Sequence, residues 1–91
     1  MKTYNDLERE PIVFDDALGK YLASVGEELK RASQKFGPFN SAIEGLAILE
    51  EEVDEFKQEV RHGTIEKARA EAIQVAAMAV RFLMDCYKVG K

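Results

Sequence analysis

Six carboxylates crowd one stretch of the chain: Glu50, Glu51, Glu52, Asp54, Glu55 and Glu59. Two of them, Glu52 and Glu55, are three apart and share a helix face. Further on, Glu71 and Gln74 repeat that three-residue spacing. The two pairs flank the short break His62-Gly63-Thr64. If both segments are helices joined there, they run antiparallel, and residues equally far from the break stand level. Glu55 then faces Glu71, and Glu52 faces Gln74. Carboxylates crowded in this way repel one another unless protons or a cation neutralise them. Three or four oxygen donors with open positions suit Mg²⁺ or Mn²⁺, which keep water and accept phosphate oxygens as further ligands. A solvated acidic helix face is the competing reading of such a run. Against it, Glu52 borders the apolar residues Leu49 and Phe56, and Glu71 and Gln74 enter the most apolar stretch of the chain.

The elements that must position these residues are helical. Apolar residues recur at alternating spacings of four and three, with no strand-like alternation. The first helix is predicted over about 13–36, with stripe residues Leu18, Leu22, Val25, Leu29, Ala32 and Phe36 and with Asp15 and Asp16 in its first turn. Gly37-Pro38 ends it. Ser41 and Glu44 form a capping-box pattern for a second helix to about residue 61, with the stripe Ala42, Leu46, Leu49, Val53, Phe56 and Val60. Gly63 reads as its stop, and Thr64 as the N-cap of a third helix to about residue 88. The third is apolar over most of its circumference, so two helices of the same chain should not suffice to cover it. The fold class that follows is all-α: an antiparallel helical bundle of three main helices per chain, completed by oligomerisation. The division is a polar tail over residues 1–12 and one helical domain over residues 13–91.

Composition narrows the function. The chain has 91 residues, 33% charged and 46% hydrophobic, which fits one small domain rather than a disordered chain. A net charge of −4 with no basic run argues against a nucleic-acid polymer as partner. Its longest apolar run, from Ala72 to Met84, is interrupted by Gln74 and Arg81 and is too short to cross a bilayer. The polar N-terminus lacks the apolar core of a secretion signal. A single cysteine, Cys86, permits no intramolecular disulfide, and a cytoplasmic location is expected. The lone histidine, His62, excludes a di-iron site built on paired Glu-x-x-His motifs. No glycine-rich phosphate loop and no Ser–His–Asp set can be assembled.

Glu51-Glu52-Val53-Asp54-Glu55 followed by Glu71-Ala72-Ile73-Gln74 resembles the paired motifs Glu-Glu-x-x-Glu and Glu-x-x-Asp of the MazG-like all-α nucleoside triphosphate pyrophosphohydrolases. The lead-in Lys35-Phe36-Gly37-Pro38-Phe39-Asn40-Ser41 is similar too. The resemblance implies a Mg²⁺-dependent hydrolase, with Mn²⁺ as a possible substitute, that converts a nucleoside or deoxynucleoside triphosphate to the monophosphate and pyrophosphate. It implies a homodimer or homotetramer. Carried over position by position, Glu51, Glu52 and Glu55 are the catalytic residues, and Glu52, Glu55, Glu71 and Gln74 hold the metal. Gln74 departs from the pattern by replacing an aspartate, so the metal loses one charge. The alternative is a weak or inactive helical dimer that binds nucleotide or a protein. Lys35, Phe39 and Arg81 are the candidate substrate-binding residues. Each has a plainer role: Lys35 as a surface charge, Phe39 with Phe36 in core packing, and Arg81 in an i,i+4 ion pair with Asp85.

Overall fold

The computed structural model describes residues 13–86; the predicted tail over residues 1–12 and residues 87–88 of the predicted third helix lie outside them. Three helices occur in order: α1 (Phe14–Lys35), α2 (Ala42–His62) and α3 (Ile65–Asp85), with no strand among the described residues. The described domain is therefore all-α.

Local chemistry sets the boundaries. α1 carries Asp15 and Asp16 at its positive end and Lys35 at its negative end. Phe36 is already extended, and the Gly37-Pro38 step prevents the helix from resuming. Ser41 caps α2 by accepting from the Glu44 N–H at 3.1 Å. The return half of the expected capping box lands one residue early, because the Glu44 carboxylate accepts from the Asn40 N–H at 2.6 Å. Gly63 ends α2, and the Thr64 hydroxyl caps α3 by accepting from the Lys67 N–H at 3.2 Å.

The α2–α3 hairpin is antiparallel with the predicted register: a side chain on Gly45 would meet the Phe82 ring, and Glu52, Glu55 and Glu71 converge. α1 lies along α3 in parallel. Near one end Tyr21 meets Arg69, and near the other Gly37 meets Arg81. α3 is thus the central helix, with α1 and α2 laid on it side by side and scarcely touching each other.

The core is thin. Ala32, Phe39, Ala77 and Met78 are its buried members, with Val25, Leu29, Ile48, Leu49, Phe82 and Cys86 packed against them. No large side chain among the described residues is fully buried. Contrary to the predicted stripes, Leu18 and Leu22 of α1, Phe36 at its end and Leu46 of α2 are exposed, so Phe36 does not share in the core packing expected of it with Phe39. The α1 stripe is covered only from Val25 to Ala32, the part of the helix that packs on the core. α3 is buried at Ala68, Ala77, Met78 and Arg81, whereas Leu83 and Met84 are bare. Much of the missing cover is therefore on α1, not around α3 alone. No described helix is long and apolar enough to cross a membrane.

Candidate functional site

Glu52 and Glu55 come from the middle of α2 and Glu71 from the second turn of α3. Each offers a carboxylate oxygen within 4.8 Å of the other two. Glu71 Oε1 is sealed from solvent and accepts no hydrogen bond from a described residue. The electrostatics follow from this crowding. Burial, then the negative charges of Glu55 and Glu71, push the Glu52 carboxyl above the ordinary glutamate value. Burial, then Glu55, raises Glu71 in the same way. Such a set prefers to hold a proton or a cation.

An open cleft of about 650 Å³ reaches the cluster at Glu52, with α3 as its floor and α1 and α2 as its walls. Glu51, Glu52 and Gln74 line one end, and Phe36, Gly37 and Pro38 the other. Gln74 and Arg81 on the floor are seven residues apart, or about 10 Å along the helix axis. Ile48 and Met78 give the middle an apolar surface.

The predicted substrate residues divide. Lys35 is exposed at the rim, with its ammonium 5.4 Å from the centre of the Phe36 ring. Phe39 and Arg81 border the cleft but are themselves buried. Arg81 donates to the Gly37 carbonyl and pairs with Asp85, its Nε lying 3.4 Å from Oδ2. The ion pair with Asp85 is therefore formed. The other aromatic of the loop, Phe36, is half exposed on the cleft wall. Glu51 is exposed on the wall beside Glu52.

Sequence reasoning missed two residues of α1. Glu28 and Arg31 line the same cleft. They pair with each other across one helical turn. Glu28 ionises more readily than an ordinary glutamate, first because Arg31 bonds to it and then because the Gln74 amide donates to it from α3. Its charge also reaches Glu52. The available signal was the position of Glu28 beside the stripe residue Leu29. What the sequence lacked was the placement of α1 relative to the hairpin.

No family model, no curated protein and no solved structure matches the chain. Its functional reading therefore rests on the three converging carboxylates, the cleft beside them and the paired acidic motifs that supply them.

Proposed function

We propose that the chain is a Mg²⁺-dependent pyrophosphohydrolase acting on a nucleoside or deoxynucleoside triphosphate, as its resemblance to the MazG-like proteins implies. The observation that carries this reading is the Glu52–Glu55–Glu71 cluster, of which Glu52 lines an open cleft. The donor set fits a hard divalent cation, since it consists of oxygens alone and includes the orphaned Glu71 Oε1. Glu52, Glu55 and Glu71 would hold the ion, which supplies charge neutralisation on a phosphate chain and an acidified water. Glu51, exposed on the cleft wall, would accept a proton from an attacking water. Lys35, at the rim, offers positive charge to phosphate oxygens, whereas Arg31 is paired with Glu28. Arg81 is committed to Gly37 and Asp85, so its part is to hold the loop that forms the far wall.

The reading includes a homodimer or homotetramer. Few apolar residues are buried within one chain, while Phe14 is 71% and Leu22 60% exposed on α1. A small domain with so thin a core gains stability by burying that surface against another copy.

A non-catalytic nucleotide-binding module is favoured by one observation: Gln74 stands where the motif has an acid, and its amide is engaged with Glu28. Purified protein incubated with a panel of nucleoside and deoxynucleoside triphosphates and Mg²⁺ or Mn²⁺ decides between the two. Pyrophosphate release that disappears in Glu55→Gln supports the hydrolase. Saturable nucleotide binding without turnover supports the module.

A further inference from the structure

The cleft occupies one side of α3, and the opposite side of that helix is apolar from Ala72 to Leu83. Two steps along a helix turn it by about 200°. Ala72, Ala76 and Leu83 stand two residues from the cleft-lining Gln74, Met78 and Arg81, so they point away from the cleft. Ala79 joins them, being two residues from Arg81 as well. The charged residues of α3 beyond Arg69 are Glu71, Arg81 and Asp85, and all three lie on other sides. The outer helices extend the face. On α2, Leu46 is two residues from Ile48 and Val53 two from Glu51; on α1, Gly26 is two from Glu28. Ala72, Leu83 and Leu46 are exposed. A Cβ at Gly26, or at Gly19 seven residues earlier on the same side, would meet no atom within 4 Å. Glycine inside a helix is less stable than alanine, and no neighbour within the chain requires either one. A second backbone passing close by would.

We infer that this face, on the far side of α3 from the cleft, seats a second copy of the chain, with the two α3 helices antiparallel about a two-fold axis at Ala76. The inference rests on the assembly reading above, to which it assigns a surface, and is independent of hydrolysis. Size argues for it. A helix of 21 residues is about 30 Å long and a pair of helices about 20 Å wide. The hairpin therefore offers about 600 Å² per copy, or about 1,200 Å² in all, the lower bound for a stable specific interface. Charge argues for the antiparallel sense. Arg69 lies seven residues from Ala76 and so on the same side of α3. A parallel pair would set Arg69 against its own symmetry mate, whereas the antiparallel pair holds the two about 20 Å apart. The small Ala76 at the axis lets the helices approach to about 8 Å, the near end of the usual range. The two clefts then open in opposite directions, each beside its own three carboxylates.

Light scattering at micromolar concentration on wild type, Ala72→Glu and Leu83→Glu tests this, with helix content checked by circular dichroism. Both positions are exposed in the single chain, so neither variant should unfold it. Expected is a fall in apparent mass to half of the wild-type value or less, with helix content intact. A second readout needs no disruption. Ala76→Cys and Gln58→Cys are each made in a Cys86→Ser background and mildly oxidised. Ala76→Cys should couple into a covalent dimer across the axis. Gln58→Cys, seven residues from Glu51 and so on the cleft side of α2, should remain single chains. If either glutamate variant assembles like wild type, or if the two cysteine variants couple equally, the second copy sits elsewhere: this inference fails and the assembly reading stands. If wild type is itself a monomer, the assembly reading and this inference fall together, and the hydrolase reading is untouched.

Discussion

The Arg81 guanidinium lies 4.4 Å from the centre of the Phe39 ring, and both side chains are buried. Two further contacts close the arrangement. The Phe39 N–H donates to Asp85 Oδ2 at 2.9 Å, and Asp85 pairs with Arg81. One cation thus serves a ring, a carboxylate and the Gly37 carbonyl, and it anchors the connection between α1 and α2 to the end of α3. Arg81→Met should therefore destabilise the fold by about 3 kcal/mol, because Asp85 is left charged and half-buried without its partner. Urea denaturation measures this. A loss below about 1 kcal/mol would place Arg81 among ordinary surface charges.

Gly45, at the end of the first turn of α2, is buried where the Phe39 and Phe82 rings converge. A Cβ there would stand 2.8 Å from one ring and 2.9 Å from the other. Alanine in place of glycine ordinarily strengthens a helix by about 1 kcal/mol. Here Phe39 is held by Arg81 and cannot retreat freely, so overpacking costing about 1–3 kcal/mol should prevail. Gly45→Ala is expected to lower the Tm; a rise would show that the rings move aside.

The acidic cluster gives the metal-free protein a defined pH response. Glu52 and Glu71 have raised folded-state pKa values, so the folded chain holds protons that the unfolded chain releases. Their contribution is present below the ordinary value of 4.5 and is lost as pH rises through the folded values. Glu28 has the opposite sign: its stabilisation is present above 4.5 and is lost as pH falls through its lowered folded value. Above the ordinary value of 4.5, rising pH should therefore lower the Tm of the metal-free protein until both groups are ionised, and Glu71→Gln should flatten that decline. Mn²⁺ should raise the Tm most at the upper end of the range, where protons no longer compete. Alanine at Glu52, Glu55 or Glu71 should remove the metal effect with helix content intact.

Assembly can be separated from folding by residue choice. Leu22→Glu alters a bare position on α1 and should shift light scattering toward the monomer while preserving helix content. Ala77→Asp alters a position with no exposure inside one chain and should unfold it outright. A wild-type monomer of undiminished stability at micromolar concentration would show that the exposed apolar surface needs no partner.

The hairpin was readable from the sequence because its geometry is local. A one-turn break forces antiparallel packing, so Glu55 and Glu71 could be brought together by counting from Gly63. Ser41 and Thr64 announced their helices because a cap acts within four residues. α1 was readable as a helix but not as a neighbour, since a stripe of leucines says which face is apolar and not how much of it meets a partner. Leu18 and Leu22 were misplaced for that reason, and Glu28 was passed over. Arg81 shows a different limit: its spacing to Asp85 foretold the ion pair, but the Phe39 ring and the Gly37 carbonyl come from a distant loop.

α1 and α2 are each fastened to α3 and scarcely to each other. The hairpin, closed by a short turn, is the natural first unit to form, because little chain entropy is lost in bringing its arms together. α1 can dock only once α3 offers its surface. The same hierarchy should persist in the native ensemble, with amide exchange fastest in the first turns of α1 and slowest where α2 and α3 cross. A ligand that spans the cleft would touch both outer helices at once and so supply the link that the chain itself leaves out. Occupancy would then be legible as slowed exchange along the whole of α1, including turns far from any contact with the ligand.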